Sequence, residues 1–315
     1  MYDINSYVVG DNLDLLKKLE DDSVTLCYLD PPYNTGRNFG AFNDKFDSMS
    51  YYAHDFLKPR LVEIHRALEK DGNVVVHVEP KNSHHVRTVL DEVFGEKKFR
   101  NEIVWKSGGN AKNLKQLGRH HDVLIVYSKG TSPVFNPQYV PYDEEYKKRS
   151  SAKQMPDSGR WYVTTALHNS QPDVNPRPNL RYEWNGHNKQ WYCTKERMQK
   201  LHDECRLIYS IKSGVPRIVR YLDEMDGVPI KDLWTDINQI QGSEKLDYPT
   251  QKPVKLLERV VKLYSNEGDV VFDPFAGSGT TGRAAIKQGR NYLLFDANEH
   301  GKQQFLKSLV KLESA

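Results

Sequence analysis

The sequence predicts an α/β fold built on a mostly parallel, doubly wound sheet. Short apolar runs alternate with amphipathic runs from residue 1 to about 130, and the same alternation resumes near residue 245. The apolar runs are rich in β-branched and aromatic residues, as in Val24–Leu29, which is typical of strands buried on both faces. Strands that alternate with helices in this way favour a parallel sheet covered by helices.

The same patterns predict the order of the elements. Before residue 130 we expect strands over 7–9, 24–29, 74–78, 102–106 and 122–128, and helices over 12–19, 51–68 and 83–94. After residue 245 we expect a helix over 254–264, a strand over 270–272, a helix over 280–288, a strand over 292–295 and a final helix. Two separate parts of the chain must therefore combine in one sheet.

Residues 131–244 interrupt the alternation with prolines, scattered aromatic residues and charges. Between Lys147 and Arg220 there are 15 lysines and arginines against 6 aspartates and glutamates, and four of the five tryptophans fall within 131–244. Cationic side chains interleaved with planar ones suit phosphate contact and base stacking. The alternative is a core of aromatic residues with a solvated, charged face. We predict a split α/β domain over 1–130 and 245–315, and a loop-rich inserted domain over 131–244 for which nucleic-acid binding is favoured.

The net charge and the cysteine content limit the partners and the cross-links that we expect. The chain has 315 residues, a formal net charge of +3 and three well-separated cysteines. A nucleic-acid partner must therefore meet a local basic surface, and no disulfide framework is expected. One such basic run, over 97–129, holds 8 basic and 2 acidic residues.

The N-terminus lacks the features of a secretory leader, and no apolar run approaches the roughly 18 residues of a membrane span. We expect a cytoplasmic protein with no membrane partner.

An acidic motif, DPPYNTG, follows the predicted strand Val24–Leu29. Asp30 therefore lies at the carboxyl end of a strand, where open α/β sheets bind their ligands. Taken alone, the motif also fits a simple turn in which Tyr33 is a packing residue.

A glycine-rich turn follows a strand in the second α/β stretch. Gly277, Gly279 and Gly282 satisfy the pattern G-x-G-x-x-G, and Asp296 follows 19 residues after Gly277. This context also fits a dinucleotide site, so an NAD-dependent oxidoreductase is one hypothesis. Asp273 argues against it, because a carboxylate at the strand end suits a cationic ligand better than a pyrophosphate.

Two other common sites are not expected. No lysine follows the glycines in the way that a P-loop requires. The pairs His84-His85 and His120-His121 are adjacent in sequence and lack a completing cysteine or carboxylate cluster, so we predict no metal site.

Several segments together resemble one enzyme family. DPPY at 30–33 and DPFAGSGTT at 273–281, with the inserted region between them, resemble the paired motifs of the β group of DNA adenine-N6 methyltransferases. Further segments are similar to the modification subunits of type III restriction systems and their solitary relatives: FNDKFDSMSYYAHDFLKPRL (42–61), LEKDGNVVVHVEP (68–80), EIVWKSGGN (102–110), HDVLIVYSKG (121–130) and YPTQKP (248–253). The resemblance implies a Rossmann-like methyltransferase sheet with an inserted target-recognition domain.

The resemblance also implies the reaction and the partners. S-adenosylmethionine would be the cofactor, and a flipped adenine in double-stranded DNA would receive the methyl group on N6. Asp30, in place of the serine found in cytosine-N4 enzymes, favours adenine; cytosine-N4 and RNA-base methylation stay as alternatives. The family suggests a homodimer. The chain is short for a type III subunit, which favours a stand-alone enzyme over dependence on a restriction subunit.

The resemblance assigns roles to the residues of the first motif. The Asp30 carboxylate and the Pro31 carbonyl would each accept a hydrogen bond from the target amine. Pro31 and Pro32 hold the backbone rigid because proline has a fixed φ and no N–H. Tyr33 would offer its ring to the flipped base, since base–aromatic stacking contributes roughly 1–3 kcal/mol.

The remaining expected contacts are divided between cofactor and DNA. Asp296 would bind the ribose hydroxyls, Asp11 the cofactor's adenine, Asp273 the positive end of the methionine, and Thr250 and Lys252 its carboxylate. Any of these acids could instead be a helix cap. The full expected cofactor set is Asp11, Thr250, Lys252, Asp273, Phe275, Gly277, Gly279 and Asp296. The expected DNA contacts are Asn34, Lys106, Lys112, Arg177, Arg181 and Arg217.

Overall fold

The chain divides into two compact units. The computed structural model describes residues 2–34, 36–38, 43–108, 117–171 and 174–313. The first unit, which we call the sheet unit, combines Met1–Gln138 with Lys231–Ala315. The second, which we call the inserted unit, is Tyr139–Ile230.

The first part of the sheet unit carries most of its strands. These are β1 (Ser6–Val9), β2 (Val24–Leu29), β3 (Arg37–Asn38), β4 (Asn43–Asp44), β5 (Leu68–Val78), β6 (Phe99–Trp105) and β7 (Asp122–Ser128). The helices are α1 (Asn12–Leu16), a π-helix over Tyr51–Leu57 that continues as α2 (Lys58–Ala67), and α3 (Pro80–Phe94). The expected helix over 51–68 is thus divided, and β5 begins six residues before the expected strand over 74–78.

The inserted unit consists mainly of short strands. They are β8 (Tyr139–Val140), β9 (Lys153–Gln154), β10 (Trp161–Ala166), β11 (Arg181–Trp184), β12 (His187–Gln190), β13 (Leu207–Tyr209), β14 (Pro216–Tyr221) and β15 (Val228–Pro229). They are accompanied by the helices α4 (Glu144–Arg149) and α5 (Lys195–Asp203). The central sheet has the order β13-β14-β10-β9, and the pairs β11-β12 and β15-β8 form separate two-stranded sheets.

The inserted unit has its own hydrophobic core, in which Trp191 packs with Leu167, Met198 and Leu201. Trp191 is fully buried, and so is Trp234 in the sheet unit. Of the tryptophans considered for base stacking, these two therefore act as core residues, whereas Trp161 and Trp184 are half-buried. The alternative interpretation, in which aromatic residues of 131–244 form a core, therefore holds for two of the four tryptophans in that range.

The chain returns to the sheet unit before the expected boundary at 245. Residues 231–315 supply β16 (Leu233–Trp234), α6 (Val254–Tyr264), β17 (Val270–Asp273), α7 (Thr280–Lys287), β18 (Asn291–Asp296) and α8 (Glu299–Glu313). The inserted unit is shorter than the expected 131–244 because β16 already pairs with β6, placing Leu233 opposite Val104.

Among the residues that the structure describes, the main sheet has eight strands in the order β1-β18-β17-β2-β5-β7-β6-β16. Within it only β7 runs against its neighbours β5 and β6, and the other pairings are parallel. The predicted α/β class with a mostly parallel sheet is confirmed. Because parallel strands end at one edge, the turns after β1, β2, β17 and β18 are neighbours there.

The strand β2 lies at the centre of this arrangement, buried at every position. Apolar residues on both faces let it pair in parallel with β17 on one side and β5 on the other. Within the part of the chain that the structure describes, no helix has the length and apolar content needed to cross a membrane.

Candidate active site

The loop after β2 brings three polar groups into contact. The Tyr33 hydroxyl donates a hydrogen bond to Asp30 Oδ1, and the Lys252 ammonium forms an ion pair with Asp30 Oδ2. Lys252 Nζ also lies 3.2 Å from the Tyr33 hydroxyl oxygen. Burial raises the pKa of Tyr33 well above its usual value, and the Asp30 carboxylate adds to this. Tyr33 therefore keeps its proton and acts as a donor to Asp30.

Side chains from other segments fix the shape of this loop. Asn34 has a left-handed backbone (φ +54°), its amide N–H donates to Asp44 Oδ1 at 2.6 Å, and its side-chain oxygen accepts from Phe46 N at 2.9 Å. The Asn82 side chain donates to the Tyr33 carbonyl. Asn34, expected to contact DNA, is thus placed where it anchors the loop.

A buried polar layer lies behind Tyr33. His77, on β5, is fully buried, and its ring lies 6.3 Å from that of Tyr33, centroid to centroid. His77 Nδ1 is 2.8 Å from the Tyr28 hydroxyl, and Nε2 is 3.5 Å from Asp122 Oδ2. Burial lowers the pKa of His77, with a further contribution from Lys252. A neutral imidazole is therefore favoured at this position.

Asp122 reaches the same edge because β7 is reversed. Asp122 is the first residue of β7, and the start of β7 lies beside the end of β5, with Val78 opposite Val123. Burial pushes the pKa of Asp122 upward, but the contact with the His77 ring and the positive charges of Lys252 and Arg119 outweigh burial and lower the pKa overall. Motif analysis missed both residues; the only sequence signal was a histidine inside the apolar run VVVHV.

The glycine turn after β17 is held by backbone contacts. Gly277 N donates to Asp296 Oδ2 at 2.8 Å, and the Gly277 carbonyl accepts from the Tyr7 hydroxyl at 2.7 Å. Gly279 has φ +72°, and a Cβ there would lie 2.3 Å from the Phe305 ring. Both a left-handed backbone and close packing therefore demand glycine at position 279.

Asp273 and Asp296 are carboxylates at the ends of β17 and β18. Asp273 Oδ1 accepts from Phe275 N at 2.9 Å, and Oδ2 accepts from the Thr281 hydroxyl at 2.5 Å. Burial raises the pKa of Asp273 to about 7, and it also raises the pKa of Asp296. Burial disfavours the ionised form of both carboxylates. A cationic ligand beside them would favour that ionised form and would be attracted to it.

The other expected cofactor contacts take different positions. Asp11 caps α1 by accepting from Leu13 N at 2.9 Å, and its side chain is 61% exposed. Phe275 packs against Phe56, with ring centroids 6.0 Å apart. Thr250 is half-buried in the segment before α6. In that same segment Lys252 lies on Asp30, whereas sequence analysis placed it at the cofactor carboxylate.

The expected DNA contacts lie in both units. Lys106 is exposed directly after β6, and Lys112 lies outside the described residues. In the inserted unit Arg177 and Arg181 are exposed. Arg217 is half-buried, and its guanidinium donates to the Thr164 hydroxyl at 2.9 Å and carbonyl at 2.8 Å.

The histidines considered for metal binding do not complete a site. His84 and His85 lie side by side on α3, with ring centroids 3.9 Å apart. Among the residues described, no group of three or more histidine, cysteine, aspartate or glutamate side chains has an arrangement that could hold a metal ion.

A solved structure shares this fold. A protein from Thermus thermophilus, described as a DNA modification methylase, superposes with a TM-score of 0.53 at 19% identity, covering 98% of this chain and 95% of that chain. The fold is therefore that of a methyltransferase-type α/β protein. The chain belongs to the N6/N4 DNA methylase family, which it matches over residues 24–307.

Curated relatives cover most of the chain. Type II methyltransferase M.EcaI of Enterobacter cloacae is 29% identical over 312 residues, which are 93% of this chain and 66% of that protein. DNA adenine methyltransferase YhdJ of Escherichia coli K12 is 27% identical over 292 residues, 92% of this chain and 77% of that protein. The chain therefore spans about two thirds of the first relative's length.

Proposed function

We propose that this protein is a DNA adenine-N6 methyltransferase that uses S-adenosylmethionine. The observation that carries the proposal is the adjacency of two strand-end turns. β2, which ends at Asp30, pairs directly with β17, which leads to the glycine turn. One turn offers acceptors for an amine, and the other offers a close-packed backbone with carboxylates beside it.

The residues of the glycine turn fit this cofactor. At Gly277 and Gly279 an added Cβ would meet Tyr248 and Phe305, so the turn is closely packed, and the buried acids Asp273 and Asp296 beside it favour a positively charged ligand. Phe275 and Phe56 contribute an apolar surface. When bound, S-adenosylmethionine supplies an electrophilic methyl group on a cationic sulfur.

The residues of the first turn act on the amine. The exocyclic nitrogen of adenine is a poor nucleophile because its lone pair is delocalised into the ring. Asp30 accepts one of its N–H groups, and the Pro31 carbonyl accepts the other, which favours a localised lone pair. Tyr33 and Lys252 hold the Asp30 carboxylate from two sides, so it need not reorient during the reaction.

The target base must leave the duplex to reach this turn. Extrusion costs a few kcal/mol, and stacking on an aromatic ring offsets part of that cost. Tyr33 supplies such a ring, supported from behind by His77. The exposed Arg177 and Arg181 of the inserted unit are proposed to contact the DNA backbone.

The test is product identification. The purified protein is incubated with methyl-labelled S-adenosylmethionine and mixed-sequence duplex DNA, and the digested nucleosides are analysed by mass spectrometry. The proposal predicts label on N6-methyladenine. Label on N4-methylcytosine would contradict the adenine assignment, and tight NADH binding without any methyl transfer would contradict the class of enzyme.

A further inference from the structure

Lys252 has an unexpected position for a residue of the segment before α6. Its ammonium pairs with Asp30 Oδ2 and lies 3.2 Å from the Tyr33 hydroxyl oxygen, although it is 222 positions away from Asp30 in the chain. The side chains of Lys252 and Asp30 are 14% and 17% exposed. The charged head therefore lies inside the proposed base site, beside the group that receives the amine.

The ammonium has a donor to spare. A lysine side chain carries three N–H donors and no acceptor. Asp30 and Tyr33 engage two of them, and these are the hydrogen bonds that the described part of the chain offers to the Lys252 ammonium. The third N–H can serve an acceptor on a ligand, and the small remaining exposure of the side chain gives such a ligand access.

Asp30 and Lys252 together present an acceptor next to a donor. The amino edge of adenine presents the complement: N–H groups on N6, with ring nitrogens N1 and N7 on either side as acceptors. Guanine and thymine place a carbonyl oxygen where adenine has its amine, so the same pair would leave two acceptors facing each other. Cytosine, with an amine beside a ring nitrogen, fits as adenine does.

We propose that Lys252 reads the target base by donating a hydrogen bond to a ring nitrogen that flanks the amine. The inference rests on the proposed function. Asp30 and Lys252 then select amino bases over keto bases as a pair, and Lys252 also fixes the base plane against Tyr33. This assigns Lys252 to the nucleobase and not to the cofactor carboxylate.

The experiment combines altered bases with altered lysine. The target site is first mapped by sequencing methylated DNA, and duplexes containing it then carry adenine, 1-deazaadenine or 7-deazaadenine at the methylated position. Their affinities are measured at equilibrium with S-adenosylhomocysteine present, for the wild type, Lys252→Met and Lys252→Arg. Lys255→Met, a change of an exposed lysine on α6, is the matched control. Affinity for S-adenosylhomocysteine alone is measured by calorimetry.

The wild type should lose roughly 10- to 100-fold in affinity with one of the two deaza bases, as expected when a hydrogen bond to a charged donor is removed. The base that shows the loss identifies N1 or N7 as the acceptor. Lys252→Met should show a similar loss with adenine and no further loss with that deaza base, whereas Lys255→Met should behave as the wild type. Lys252→Arg should retain part of the discrimination.

Three results would overturn the inference. The wild type could show no loss with 7-deazaadenine, and its affinity for 1-deazaadenine relative to adenine could equal that of Lys252→Met, in which the weaker base pair lowers the cost of extrusion equally. The losses from lysine and base changes could simply add. Lys252→Met could weaken S-adenosylhomocysteine binding while the deaza penalty is unchanged. Failure of the proposed function is distinct, because the wild type would then transfer no methyl group to adenine in DNA.

Discussion

The two turns at the carboxyl edge of the sheet are held in different ways. The turn after β2 is fixed by side chains from distant segments, namely Lys252, Asn82 and Asp44. The turn after β17 is held through its backbone, which is hydrogen-bonded to the side chains of Asp296 and Tyr7 and packs at Gly279 against Phe305. Both turns are hydrogen-bonded, but the ion pair with Lys252 is a feature of the first turn, and the close packing of Gly279 on Phe305 is a feature of the second. We therefore expect substitutions in the first turn to lower the rate of methyl transfer, and substitutions in the second turn to weaken cofactor binding.

The largest effect is expected at the first turn. Asp30→Ala should lower methyl transfer roughly 100- to 1,000-fold, the typical cost of removing a preorganised electrostatic group. Cofactor affinity should stay nearly unchanged, as measured by calorimetry beside single-turnover transfer. Asp30→Asn checks folding because it keeps the side-chain shape, and Asp47→Ala removes an exposed acid of the sheet unit as the control. Retention of more than a tenth of the rate, a loss below about 1.4 kcal/mol, would refute the role.

Steric fit at the second turn is tested by one added methyl group. Gly279→Ala forces a Cβ to within 2.3 Å of Phe305 and strains a residue at φ +72°. Overpacking and strain together should cost about 2–4 kcal/mol, seen as a lower free energy of unfolding and weaker cofactor binding. Gly289→Ala is the matched control, because φ is +68° there but the nearest atom is 3.8 Å away. Equal effects of the two changes would remove packing as the cause.

A pH effect is expected at Asp273, whose pKa burial raises to about 7. A cationic ligand binds better to the ionised carboxylate, so cofactor affinity should rise with pH up to about 7 and then level off. The slope should approach tenfold per pH unit below that value, measured by calorimetry. Asp273→Asn should remove this component. If cofactor affinity depends on pH in the same way in the wild type and in Asp273→Asn, the titrating group is not Asp273.

The smallest effect is expected in the inserted unit. The triple change of Arg177, Arg181 and Arg217 to alanine should weaken DNA binding and reduce its salt dependence by about 0.9 in log–log slope for each phosphate that is no longer bound. Arg217 should contribute least, because Thr164 already engages its guanidinium. Removing Lys17, Lys255 and Lys262, exposed in the sheet unit, is the charge-matched control. An unchanged slope in the arginine variant would exclude this surface.

Local pattern was sufficient for some elements. The expected strand over 24–29 and helix over 254–264 match β2 and α6 at both ends. In both segments the apolar residues form a strong pattern, a continuous run in β2 and one helical face in α6, and this pattern identifies the element. The start of β5 was missed because Glu69–Gly72 is polar and includes exposed residues. The inserted unit was expected to be loop-rich because its strands, two to six residues long, show no clear alternation.

The site was predictable only where it follows from contiguous motifs. DPPY and the glycine turn could be located because the residues that define each lie within a few positions of one another. The pairing of Lys252 with Asp30 and of His77 with Asp122 depends on how distant strands and segments meet. Such contacts are set by strand order and by the reversed β7, which no local pattern specifies.

The most direct test of this division of labour is calorimetric titration of S-adenosylhomocysteine into the wild type, Asp30→Ala and Gly279→Ala under one condition. Asp30→Ala should bind within about twofold of the wild type, and Gly279→Ala should bind at least about tenfold more weakly, a difference of about 1.4 kcal/mol. If Asp30→Ala instead loses affinity as Gly279→Ala does, the two turns do not divide chemistry from cofactor binding.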